Sequence, residues 1–135
     1  MNASDPDIDG LTEKIIGCAI EVHRALGPGL LESVYRECLT IELALAELRF
    51  ETERRVPLSY RGVAIATYLR MDVLVEDLVV VEIKSVDCIH PVHLAQGVTY
   101  LKLSDRPAGL ILNFNTTSMR GGGIRRLSHP LRYRR

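Results

Sequence analysis

A chain of 135 residues has the size of one ordinary domain, and at 47% hydrophobic and 25% charged it is too apolar to be disordered. Seventeen basic and seventeen acidic residues cancel, a balance that by itself argues against a general polyanion binder. No apolar run is long enough to cross a bilayer, and an N-terminus rich in Asp5, Asp7 and Asp9 is unlike a signal peptide, so a cytoplasmic location is expected.

The charge is nonetheless uneven. Arg120, Arg125, Arg126, Arg132, Arg134 and Arg135 crowd the C-terminal end with no acid among them. They read equally as a solubilising end or as phosphate contacts. Cys18, Cys38 and Cys88 show no CxxC spacing and read as reduced thiols rather than zinc ligands. Without Trp, and with two Phe and five Tyr, the chain has little material for a base-stacking platform.

Residues 1–9 are polar and expected to be flexible, residues 10–128 form one domain, and residues 129–135 make a basic tail. From Leu11, apolar residues recur at helical spacing through Ile15, Ile16, Ala19, Ile20 and Val22, until Gly27-Pro28-Gly29 breaks the chain. A second helix is predicted from about Leu30 to Leu48. Phe50–Tyr60 reads as a strand in which Pro57 marks an edge or a bulge. After the Arg61-Gly62 turn come strands at Val63–Val75 and Leu78–Ser85, joined at Glu76-Asp77. A helix starting between Asp87 and Pro91 runs to about Leu103. Short strands follow at Ala108–Phe114 and Ile124–Leu127, separated by Gly121-Gly122-Gly123. The order α-α-β-β-β-α-β-β predicts a compact α/β or α+β domain with a central mixed sheet.

The chemistry concentrates in the hairpin from Tyr68 to Lys84. Side chains alternate between faces of a strand. Met71, Val73, Val75, Val79, Val81 and Ile83 form one apolar face, whereas Asp72, Glu82 and Lys84 share the other. If the turn centres on Asp77, residues equidistant from it pair, which sets Asp72 opposite Glu82. Facing carboxylates about 5 Å apart repel by roughly 3 kcal/mol at an effective dielectric near 20. A divalent cation converts that repulsion into coordination. Lys84, on the same face, suits the orientation of a water or the stabilisation of charge developing on a phosphate.

Two helices add to the hairpin. Glu32, Tyr35, Arg36 and Leu39 share a stripe on the second helix, which sets a carboxylate beside side chains expected to be buried. His93, Gln96 and Tyr100 share a stripe on the third, where a Gln and a Tyr could position a water or a phosphate. Tyr35 reads as a packing residue whose hydroxyl reaches a polar neighbour. The glycines at 121–123 follow a strand and do not precede a helix carrying Lys-Ser/Thr, which excludes a P-loop.

Asp72 followed by Glu82-x-Lys84 resembles the PD-(D/E)XK nuclease signature. Gly29-x-x-Glu32-x-x-Tyr35 is similar to the motif that names the GxxExxY family of that superfamily, and Gln96-x-x-x-Tyr100 resembles the QxxxY element of several of its nucleases. The likeness runs from about Leu11 to Leu127; Met71 stands where the superfamily name has Pro. It implies a restriction-endonuclease-like core and a metal set of Glu32, Asp72 and Glu82, with the carbonyl of Ile83 as a further ligand to Mg²⁺ or Mn²⁺. It makes Lys84 the base or charge stabiliser and Gln96 a helper, with Tyr35 and Tyr100 in support. The expected activity is metal-dependent hydrolysis of nucleic acid, DNA before RNA, with Arg120, Arg125 and Arg126 on the backbone. A domain this small has little surface for reading sequence, so a homodimer or a partner subunit is plausible. The alternative is a module on the same fold that binds nucleic acid or protein without cutting it. A purely structural domain is the third reading, with Asp72 and Glu82 bridged by Arg70 or Lys84.

Overall fold

The computed structural model describes residues 6–131. Arg132, Arg134 and Arg135 lie outside them, as do residues 1–5. The described elements are α1 (Ile8–Leu26), α2 (Glu32–Leu45), β1 (Phe50–Tyr60), β2 (Val63–Val75), β3 (Val79–Lys84), α3 (Pro91–Ser104), β4 (Ala108–Asn113) and β5 (Ile124–Ser128). The expected order holds, with one addition, a short π-type turn at Met119–Gly123.

Helix α1 begins at Ile8, ahead of the first periodic residue Leu11, because Asp7 caps it. The Asp7 side chain accepts from the Gly10 N–H at 2.9 Å, and Ile8 is buried. Gly27 and Gly29 then take φ of 70° and 98°, conformations that separate α1 from α2.

Five strands pair in sequence order, β1-β2-β3-β4-β5. All neighbours are antiparallel except β3 and β4, which run parallel and are joined through α3. The ladder slips between Pro57 and Ser59 on edge strand β1, where a missing N–H is tolerated. Helices α1 and α2 cover one face, packing Ile15, Ala19, Tyr35 and Leu39 on Val73, Val81, Ile83 and Leu110. Helix α3 covers the other through Leu101, over Leu74, Val80, Ile111 and Leu127. Both layers exclude water from the middle strands, and every residue of β4 is buried.

Strict alternation fails at one place. Met71 does not join Val73 and Val75 but packs with Leu74, Val80 and Leu101 on the α3 side. The pairs Thr52–Val73 and Arg54–Met71 put Glu53 across from Asp72, and Glu53 has φ of 52°. That left-handed residue interrupts the pleat of β1 opposite the point where the β2 side chains break step.

Tyr35 shows how the α1–α2 connection is held. It is fully buried, stacks on Phe114 at 4.5 Å between ring centroids, donates its hydroxyl to the Gly27 carbonyl at 2.6 Å, and accepts from the Leu30 N–H at 3.1 Å. Tyr35→Phe keeps the ring and strands both backbone groups. Chemical denaturation is expected to read a loss of about 1–3 kcal/mol.

Candidate functional site

The β2–β3 hairpin turns on Glu76 and Asp77, both left-handed at φ 53° and 57°. Side-chain bonds hold these strained residues: Glu76 accepts from the Arg49 N–H, and Asp77 pairs with Arg106 at 2.8 Å and Arg54 at 3.5 Å. The turn fixes the expected register, with Val75 on Val79 and Val73 on Val81. Beyond Val73 the ladder ends. The Asp72 carboxylate takes over from the backbone and accepts the Ile83 N–H at 2.8 Å. Strand separation therefore opens a gap that Asp72 fills, beside Glu82.

Burial first and the Asp72 charge second raise the Glu82 carboxyl from its usual 4.5 to about 8, against the opposing pull of Lys84. Its Oε1 is buried with no hydrogen-bond partner. A buried carboxylate oxygen left unpaired is costly unless something outside the chain satisfies it.

Helix α3 closes the site from above. Glu82, Lys84, His93, Gln96, Gly97, Tyr100 and Ile111 line a small cavity of ≈ 60 Å³. The stripe His93–Gln96–Tyr100 thus faces the acid strand, as its spacing predicts. Burial raises the Tyr100 phenol, and the charges of Glu82 and Asp72 raise it further. His93 accepts the His90 N–H on Nδ1 at 3.1 Å, so a neutral ring carries its proton on Nε2. Gly97 brings the helix down: a Cβ there would stand 2.3 Å from Leu127 Cδ1.

Glu32 lies elsewhere than its stripe suggests. It is the first residue of α2 and is exposed, whereas Tyr35 and Leu39 behind it are buried. Its Oε2 accepts the Ser85 N–H at 3.1 Å, one residue past Lys84. The carboxylate reaches the exit of β3 from the α2 layer, while Glu82 faces α3. Among the described residues no group of three His, Cys, Asp or Glu stands ready to hold a metal. The gathered donors are Asp72 and Glu82, and they suit a hard divalent cation: two carboxylates, one with an orphaned oxygen and a suppressed charge.

Neither proposed structural bridge is present. Arg70 pairs with Glu53, and no ion pair joins Lys84 to Asp72 or Glu82 among the described residues. Arg120 and Arg126 both pair with Glu13 on α1, and Arg125 bonds the carbonyls of Gly122 and Ile124. These arginines gather at the β5 edge on the α1 side and do not line the cavity. Sequence reasoning missed the Asp72–Ile83 bond and the anchoring of Glu32 at Ser85, since no residue pattern reports either.

A mixed five-strand sheet between helices, with an acid pair and a lysine where its central strands part, defines a nuclease-like fold. A family model described as the PD-(D/E)XK nuclease superfamily matches residues 9–127, and the chain belongs to that superfamily. No curated protein and no solved structure matches the chain. Members of the superfamily generally use divalent metal ions on nucleic-acid substrates. No helix among the described residues is long and apolar enough to cross a membrane.

Proposed function

We propose that the protein is a divalent-metal-dependent phosphodiesterase of the GxxExxY group, acting on DNA in preference to RNA. The observation that carries this reading is the half-buried Glu82 beside Asp72, with a buried oxygen left unpaired and Lys84 on the same face. Asp72 and Glu82 would hold the ion, Mg²⁺ or Mn²⁺, with the Ile83 carbonyl beside them and Glu32 reaching in from α2. When bound, the ion supplies an activated water and neutralises the scissile phosphate. The chain does the rest. Lys84 steadies charge on the phosphate, Gln96 orients water within the cavity, and Tyr100 closes the wall above Glu82.

The Gly29–Tyr35 spacing supports the subgroup for a physical reason. Tyr35 clamps the turn at Gly27 and Leu30, and that clamp sets where α2 starts and Glu32 stands. Residues 10–128 serve as the catalytic domain in this reading, in the cytoplasm, alone or as a homodimer or with a partner subunit.

Calorimetric titration of the native protein with Mn²⁺, followed by nicking of labelled plasmid DNA with Mn²⁺ or EDTA, tests the reading. Metal binding with metal-dependent nicking supports it. Absence of both overturns it and leaves a module that binds without cutting. Asp72→Asn separates site from scaffold. Asn can still accept the Ile83 N–H and removes the repulsion on Glu82, so the melting temperature is expected to hold or rise while nicking falls at least ~100-fold.

A further inference from the structure

The β1–β2 pair extends well beyond the layers that bury the rest of the sheet. Strand β3 spans Val79–Lys84, whereas β1 and β2 run on to a tip at Arg61-Gly62. Consecutive residues 63–68 are all exposed, so both faces of the outer ribbon meet solvent. From Val56, the last buried residue of β1, the ribbon reaches roughly 17 Å to its tip at about 3.3 Å per residue. Arg61 and Gly62 have φ of 51° and 78°, the signs of a tight two-residue turn whose twist matches its strands.

The chemistry of this ribbon differs from that of the chain as a whole. No Asp or Glu falls between residues 54 and 71, while Arg54, Arg55, Arg61 and Arg70 do. Arg54 and Arg70 find acids at the base. Arg55 and Arg61 pair with no carboxylate among the described residues, and each lies over a tyrosine ring, Tyr68 at 4.5 Å and Tyr60 at 5.9 Å. Charge of either sign would keep an edge strand from pairing with another chain. Arginine alone, stacked on tyrosine at the tip and along the arm, selects for an anionic partner.

We propose that this ribbon, Arg55–Arg70, is a duplex-DNA grip that enters the major groove and presents the phosphodiester backbone to the site. A major groove about 12 Å wide admits a two-stranded ribbon, whereas the deep, narrow major groove of an RNA duplex does not. The same strand that carries Arg70 carries Asp72 two residues on, so the grip runs directly into the hairpin of the acid pair. The proposal rests on the nuclease reading and adds its substrate class, double-stranded DNA.

The test is fluorescence anisotropy of a labelled 20-base-pair DNA duplex with the full chain in EDTA, where no turnover is expected. Arg55→Ala/Arg61→Ala is expected to weaken binding at least ~10-fold and to lower the salt slope by about 2, with Arg55→Lys/Arg61→Lys recovering most of the slope. Both sites are exposed, and an unchanged melting temperature confirms an intact fold. Unchanged affinity and slope in the alanine variant overturn the proposal, as does equal affinity of the native protein for an RNA duplex of the same sequence. A native dimer that Tyr60→Ser/Val63→Ser turns into a monomer, without loss of DNA binding, also overturns it and assigns the arm to a second copy. Arm-dependent duplex binding supports the grip even if the native protein never nicks DNA. Nicking that ignores the arm substitutions removes the grip and leaves the nuclease reading standing.

Discussion

Glu82→Ala and Lys84→Ala are each expected to reduce Mn²⁺-dependent nicking at least ~100-fold, with the double variant little worse than the weaker single one. Glu82 offers the orphaned oxygen and Lys84 the positive charge on the same strand face. Glu32 does not replace Glu82, because it comes to the site from α2 with one carboxylate oxygen already bonded to the Ser85 N–H. Removing groups that act on one phosphate loses the same stabilisation once, so the effects do not add. Single-turnover cleavage of a labelled duplex reads the loss. Parental rates in both single variants would dismiss the acid–lysine face as the working site.

The metal-free protein is expected to lose stability as pH rises from about 5 to 8. Folding lifts the Glu82 carboxyl to about 8 from its ordinary 4.5, chiefly by burial. The folded state therefore keeps a proton that the unfolded chain gives up, and the stabilising contribution is complete below 4.5 and gone above 8. The difference across that window is of the order of 5 kcal/mol at most. Thermal unfolding in EDTA at pH 5.5 and 8.5 measures it. Glu82→Gln should flatten the dependence and raise the melting point at the higher pH. Mn²⁺, which favours the ionised carboxylate, should stabilise the native protein mainly at pH 8 and above.

The hairpin was legible in the sequence for a physical reason. Alternation and a short turn leave few registers, and the pairs Val75–Val79 and Val73–Val81 follow from a turn centred on Asp77. The α3 stripe was legible too, since His93, Gln96 and Tyr100 can share a face only if the helix is regular. Other features were not legible. Met71 leaves the apolar face opposite a left-handed Glu53, and nothing in the strand pattern marks a glutamate for that conformation. Helical spacing put Glu32 in line with buried residues, yet a stripe says nothing of where the helix starts. At the first position of α2 the carboxylate hangs over the end of the sheet. Nor can sequence show that Glu13, more than a hundred residues away, draws in Arg120 and Arg126, which read equally as a solubilising end or as phosphate contacts.

The exit of β3 is strapped from two directions. Glu32 takes the Ser85 N–H, and Asn113 both accepts from the Val86 N–H and donates to the Val86 carbonyl. Asn113 ends β4, which reaches β3 only through the α3 crossover, so the strap is tied by segments from both halves of the chain. The position of Lys84 is thus a property of the completed fold. A nascent chain released before β4 has docked would carry every acidic residue of the site and still lack its fixed geometry. Such coupling makes the acid–lysine face the last part of the sheet to take its shape.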